Sequence, residues 1–219
     1  MTEDSQAPEA IAIIGMAGRF PDACNPDEFW RNLMAGKDGI TRFPERTEKD
    51  GNKYVGARSI LEDVDKFDAS FFGIYPKEAE LMDPQHRIFL ECSWEALEDA
   101  GYDPASHPGM IGVYAGLSLN TYLLHNLGKG GDLAENYQVA EYQTMLGNDK
   151  DFLPLRVSYK LNLRGPSMTV QSACSTSLVA ICQAATALLT YQCDMALTGG
   201  VSITFPQQRD YMFQEDGMV

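Results

Sequence analysis

The sequence predicts a layered α/β fold, and three observations carry that prediction. From Ser167 onward SMTVQ alternates as a strand does, CSTSLVAICQAATALLTYQ has the length and composition of a helix, and DMALTGGVSI is a second strand. Strand, helix and strand in tight succession form a βαβ unit, the building block of a sheet layered with helices. At the other end, the apolar run IAIIG precedes a helix start at Asn25-Pro26-Asp27-Glu28, so the chain also opens strand-then-helix. Finally, 219 residues, 44% of them hydrophobic, suffice to bury a core as one globular unit.

Taken in order, residues 1–10 are polar and acidic and read as a frayed tail, with the folded domain expected over 11–219. Ile11 to Gly15 is a short apolar strand leading into a turn at Gly18. Asn25 then caps a helix with proline at its first position and Glu28 three residues after the cap, and Gly36 ends it. Residues 37–75 mix Gly, Asp and Arg and read as an irregular surface excursion. Asp83-Pro84 repeats the cap-plus-proline signature. The helix that follows places Ile88, Phe89, Cys92, Ala96, Leu97 and Ala100 on one face, Glu91, Glu95, Glu98 and Asp99 on a solvated face, and stops at Gly101.

IGVYAG, residues 111–116, is the next strand, and 117–150 a longer, less regular segment of the kind that serves function or an interface. DFLPLRVSYKLNLRGP is helical and then turns into the βαβ unit. The run from Gly165 to Cys193 contains no charged residue and reads as a buried interior segment with a mostly buried helix. Its recurrent Ser, Thr and Gln and the Gly165-Pro166 break exclude a membrane span.

Charge narrows the function. With 17 Lys and Arg against 31 Asp and Glu, the formal net charge is −14, which argues against nucleic acid as a partner. The polar, acidic start carries no signal-peptide pattern, and a cytoplasmic setting is the simplest expectation. Five cysteines in odd number, without a CxxC pair, predict free thiols rather than a disulfide framework or a zinc site.

Cys174 stands at the predicted strand-to-helix turn. There the unpaired N–H groups of a first helical turn carry partial positive charge, which lowers a thiol pKa and favours the attacking thiolate. Ala173, Ser175 and Ser177 are small enough to admit an acyl chain, and the same N–H groups would form half of an oxyanion hole. The residues alone leave two readings open, a nucleophile and the commoner buried structural thiol. Cys92, Cys182 and Cys193 read as packing residues. His86 and His107 read as exposed or capping residues, His125 in NTYLLHNLG is left unassigned, and no neighbour of His125 marks a triad.

Several separated stretches then point the same way. VQSACSTSLVAI resembles the active-site signature of β-ketoacyl synthases, with Cys174 in the place of the acylated nucleophile. IAIIGMAGRFPDACNPDEFW resembles their opening strand and first helix. FFGIYPKEAELMDPQHRIFLECSWEALEDAG is similar to the long segment of ketosynthases in modular type I polyketide synthases, and GNDKDFLPLRVSYKLNLRGPSMTVQSACSTS to their approach to the cysteine. The resemblance implies the N-terminal half of a thiolase-like α-β-α-β-α architecture, in a homodimer paired across its two-fold through SMTVQ, residues 167–171. It implies decarboxylative Claisen condensation in polyketide chain elongation: Cys174 takes an acyl chain from one carrier thioester, and a malonyl-type extender on another carrier loses carbon dioxide and attacks it.

Substrates would arrive on the phosphopantetheine of an acyl carrier protein, with no cofactor or metal bound by the domain itself, and the acyltransferase domain of the same synthase would be a second partner. Arg42, Arg46 and Arg58 are either contacts for an acidic carrier or scattered surface basics. The family's HGTGT and KxxxGH motifs have no counterpart up to Val219, so the resemblance covers the N-terminal half, and its histidine roles do not transfer to His86, His107 or His125. It implies that these 219 residues alone do not condense. Ser175-Thr176-Ser177 replaces the more frequent triple serine, a variant associated with polyketide modules. Two alternatives stand beside this reading, a non-catalytic truncated fragment and a fatty acid synthase type condensing enzyme; the MDPQHR segment favours the modular polyketide synthase.

Overall fold

A computed structural model describes residues 10–44, 53–128 and 139–217. The frayed tail expected over 1–10 therefore lies, but for Ala10, outside the described residues. The chain divides into two compact units, one made of the start up to Met16, Ser93–Leu117 and Lys150–Gly200, the other of Ala17–Cys92, Ser118–Asp149 and the chain from Val201 on.

The first unit holds the predicted βαβ. With strands and helices numbered in chain order, β4 (Ile111–Leu117) is buried along its whole length and lies between β5 (Ser167–Thr169) and β6 (Met195–Val201), giving the sheet order β5-β4-β6. β4 and β5 run parallel with Val113 opposite Ser167 and Ala115 opposite Thr169, and Val170 N–H donates to Ala115 O, so pairing runs one residue past β5. Helix α5 (Phe152–Lys160) precedes β5, burying Leu153, Pro154 and Val157. Helix α6 (Thr176–Leu189) crosses from β5 to β6 and buries Ala180, Ala184 and Ala187 against Tyr114 and Cys193. Alanines at i, i+4 and i+7 keep that face thin, so the helix axis approaches the sheet closely.

Two expectations fail in this unit. α6 is not mostly buried: Leu178 is 63% and Ile181 47% exposed, because a helix on one sheet covers only the stripe that faces it. Ile11–Gly15 forms no strand, and Ile13 is 81% exposed. An extended apolar run becomes a strand only where a neighbour supplies ladder bonds, and no described strand lies alongside it. Instead, a Cβ on Gly15 would collide with Ala96 O and Ala100, and Met16 N–H donates to Asp99 Oδ2. Asp99 is thus more than a solvated acid.

In the second unit, α1 (Pro26–Met34) starts as read. Glu28 N–H donates to Asn25 Oδ1 at 2.8 Å, and the Glu28 carboxylate accepts from Cys24 N–H at 2.9 Å. A cap of this kind contributes about 1 kcal/mol. Gly36 follows with φ +66°, a left-handed stop that glycine adopts without strain. The excursion over 37–75 is more ordered than expected. β1 (Ile40–Arg42) pairs antiparallel with β3 (Ala57–Ser59), β2 (Tyr54–Val55) with β7 (Tyr211–Met212), and Val64 packs with Ile88 and Ile203 in a small core. α2 (Pro76–Leu81) and α4 (Val139–Asn148) complete the unit, and a π-helical turn over Leu123–Leu127 and α4 give regular structure to the segment read as less regular.

Helix α3 (Pro84–Asp99) buries Ile88, Phe89 and Leu97 as predicted. Periodicity gave no hint that Asp83, Gln85, His86 and Arg87 are buried too. Gln85 is a hub. Its N–H and Nε2 donate to the two Asp83 carboxylate oxygens, both at 2.9 Å, while its Oε1 accepts from Ser118 N–H at 3.2 Å, Ser118 Oγ at 2.8 Å and Ile203 N–H at 3.3 Å. Arg87 donates from Nε and Nη2 to Met82 O, and Asn148 Nδ2 donates to Leu81 O. MDPQHR is therefore a structural knot that satisfies loop ends out of reach of water.

Asp83 makes the knot sensitive to pH. Burial pushes its carboxyl above the usual range, against the pull of the Gln85 hydrogen bonds and the Arg87 charge. With the folded pKa above the unfolded one, the native state holds the proton more tightly, so stability falls as pH rises from the ordinary carboxylate range through the raised value. Asp83→Asn has no such slope. The urea midpoint of the wild type should fall relative to that of Asp83→Asn between about pH 4 and pH 7; a difference that stays constant over this range would overturn the assignment.

Candidate active site at the Cys174 turn

The path from β5 into α6 passes through Val170, Gln171 and Ser172 and then a 3-10 turn, Ala173–Ser175, before Thr176 opens the helix. Cys174 lies in that turn and is exposed, which removes the buried-thiol reading. Ala173 has φ +48°, a left-handed conformation costing a non-glycine residue about 1–3 kcal/mol, and it persists only where its surroundings over-determine it.

Three hydroxyls do so. Ser172 N–H donates to Thr176 Oγ1 at 2.9 Å. Ser175 N–H and Ser175 Oγ both donate to Ser172 O, at 3.1 and 2.8 Å. With the Ser175 hydroxyl proton used there, Ser172 Oγ is the donor in the 2.9 Å contact between the two hydroxyls. Upstream, Thr169 Oγ1 donates to Lys150 O at 3.1 Å and Lys150 Nζ to Gln171 Oε1 at 3.3 Å, tying the start of α5 to the strand that leads to the cysteine.

Two glycines form the floor of this turn. A Cβ on Gly116, near the end of β4, would collide with Val170 O and with Thr176 Cγ2, and one on Gly200 of β6 would stand 3.2 Å from Ser177 Cβ. The first turn of α6 therefore rests directly on the backbone of two strands. Sequence reading found Cys174, but not the left-handed Ala173, the Ser172–Thr176 clasp or the glycine floor. IGVYAG and TGGV read simply as strands, and alanine carries no signal of positive φ.

The other candidates separate. Cys193 is buried, and burial pushes its thiol up, away from the thiolate, as suits packing. Cys92 packs half-buried beside Val64 and Ile88. Cys182 is exposed, contrary to the packing expectation, because it lies on the uncovered side of α6. Cys24 is exposed, and its hydrogen bond to the Glu28 carboxylate at 3.0 Å pushes its thiol up. His86 is buried in the first turn of α3, not exposed. His107 stacks edge-on against Tyr102, and His125 Nε2 is 3.2 Å from Arg209 Nη1. Of the basic candidates, Arg42 pairs with Asp38 at 3.3 Å, Arg58 Nε donates to Arg209 O at 2.7 Å, and Arg46 lies outside the described residues.

Known proteins resemble this chain in sequence and in fold. Residues 8–219 match the family model "Beta-ketoacyl synthase, N-terminal domain". A phenolphthiocerol/phthiocerol polyketide synthase of Mycobacterium tuberculosis is 47% identical over 223 residues, spanning 96% of this chain and 15% of that protein. Polyketide synthase PksM of Bacillus subtilis is 39% identical, spanning all of this chain and 5% of that protein. Among solved structures, ketosynthase twelve of the bacillaene polyketide synthase of Bacillus amyloliquefaciens superposes with a TM-score of 0.81 at 38% identity, over 93% of this chain and 35% of that one. The chain thus spans a small part of its curated relatives and about a third of a solved ketosynthase. Its layered α/β structure is the thiolase-like fold of those domains, and over residues 8–219 the chain belongs to the β-ketoacyl synthase family.

Proposed function

We propose that Cys174 is the acyl-accepting nucleophile of a ketosynthase in polyketide chain elongation. The single observation that carries this reading is an exposed cysteine held in a strained, hydroxyl-clasped turn directly ahead of α6, with its strand floor kept free of side chains. The Cys174 thiolate attacks the thioester carbonyl of an acyl-carrier pantetheine. A new C–S bond forms, the tetrahedral oxyanion collapses, and the old C–S bond breaks to release the pantetheine thiolate, which takes up a proton. With Ser175 N–H and Thr176 N–H already donated to Ser172 O and Ala173 O, the Cys174 N–H is the backbone donor we assign to that oxyanion. Condensation with a malonyl-type extender then follows, with groups outside the described residues.

The partners follow from the same reading: an acyl carrier protein, the acyltransferase domain of the same synthase, and a second copy of the chain. β5 is the end strand of its sheet, with Met168 half exposed, which suits pairing of 167–171 across a two-fold. Arg58 with Arg209 and His125 gives a small basic patch in an acidic chain, suited to an acidic carrier. The free thiols suit a cytoplasmic setting. Among the described residues no helix is long and apolar enough to cross a membrane.

The test is acyl loading. Incubated with a short-chain acyl pantetheine thioester, the chain should gain one acyl mass on the peptide containing Cys174, and Cys174→Ala should gain none. With iodoacetamide, Cys174 should alkylate at least about tenfold faster than Cys182, an exposed thiol on the helix that follows and the fair control. Acyl mass distributed over Cys24 and Cys182 as readily as over Cys174 would overturn the assignment.

A further inference from the structure

We infer that Thr176 is a positioning residue for Cys174, acting through both ends of its side chain. The inference rests on Cys174 being the nucleophile, and it names the group that sets the turn. The hydroxyl accepts the Ser172 N–H at 2.9 Å across the 3-10 turn, so the residue that opens α6 closes a ring around Ala173 and Cys174. The methyl faces the other way, onto Gly116, where even a single added carbon would collide with it.

The two contacts divide the work. Ser172 precedes the left-handed Ala173, and its amide cannot enter the β4 ladder, whose last bond to this segment is made by Val170 N–H. Without the Thr176 oxygen that amide has no acceptor in the turn, and a partly buried N–H left unsatisfied favours any backbone rotation that finds water. Relaxation of Ala173 from φ +48° is such a rotation, and it carries Cys174 with it. The methyl sets the height of the turn over the strand floor. Serine keeps the acceptor and loses the methyl; valine keeps the shape and loses the acceptor. The pair therefore separates the two contributions.

Two readouts in the 219-residue chain test this. Amide hydrogen exchange at Ser172 reports the clasp directly, and the ratio of Cys174 to Cys182 alkylation rates reports its consequence for the thiol. In Thr176→Val, Ser172 exchange should rise by at least about tenfold and the alkylation ratio fall by a similar factor. Thr176→Ser should restore Ser172 protection and most of the ratio. Unchanged Ser172 exchange in Thr176→Val, or a loss in Thr176→Ser as large as in Thr176→Val, would overturn the inference, as would raised Ser172 exchange with an unmoved ratio. A wild-type ratio near one would instead remove Cys174 as nucleophile while the Ser172 exchange still decided whether Thr176 holds the turn. Because Ser172 exchange is read against the exchange of core β4 amides, global unfolding of a variant shows as loss of both and is set apart from opening of the turn.

Discussion

Gly116→Ala is expected to destabilise the chain by about 1–3 kcal/mol and to abolish the preferential reactivity of Cys174. A methyl at this position overlaps the Val170 carbonyl and the Thr176 methyl, and neither can yield freely. Val170 is held in the β4 ladder through its own N–H, and Thr176 is held at the start of α6 by the Ser172 amide. The strand pair must open or the helix must lift, and either displaces the turn between them. Gly200→Ala is the graded comparison. Its Cβ would meet Ser177 Cβ at 3.2 Å, a contact relieved by a few tenths of an ångström, so its cost should stay below about 1 kcal/mol with Cys174 labelling retained. Urea unfolding with peptide-resolved alkylation reads both effects. Equal behaviour of the two variants would mean that the floor does not govern the turn.

Gln85→Leu is expected to be the most destabilising single change in the second unit. The wild-type side chain accepts three hydrogen bonds through one oxygen, from Ser118 N–H, Ser118 Oγ and Ile203 N–H, and gives one to Asp83. Leucine fills most of the volume but strands the Ser118 hydroxyl, the Ile203 N–H and one Asp83 oxygen, while Ser118 N–H keeps Val201 O at 3.1 Å, in a place where Gln85 itself is wholly buried. Each unsatisfied buried group costs about 1–3 kcal/mol, so roughly 3 kcal/mol or more is expected in total. Gln85→Glu, isosteric and still an acceptor, places a second carboxylate against Asp83 and should recover stability only at acid pH. A loss under about 1 kcal/mol in Gln85→Leu would mean that the network is dispensable.

The parts of this fold that are legible in the sequence are those coded by neighbouring residues. Asn25, Pro26 and Glu28 announce α1 within four positions, Pro84 and Gly101 bracket α3, and IGVYAG over 111–116 marks all of β4 but its last residue. Cys174 is visible because strand end, small residues and helix start adjoin in sequence. The knot around Gln85 is not visible, since its acceptor oxygen is used by residues 33 and 118 positions away. MDPQHR is distinctive as a string, but nothing local distinguishes a buried Gln or His from a solvated one.

By itself the sequence determined the strand–helix–strand order and the place of Cys174 at the junction, because capping and periodicity act over one or two helical turns, and its separated motifs carried the resemblance to the β-ketoacyl synthase family. Tertiary structure decided what those signals cannot reach. It left the apolar outer face of α6 and the Ile11–Gly15 run exposed, since burial depends on what packs opposite rather than on composition. It also turned Ala173 left-handed and made Gly116 the floor of the turn, since the room beneath Cys174 is set by a strand some sixty residues earlier, and close packing leaves no space there for a side chain.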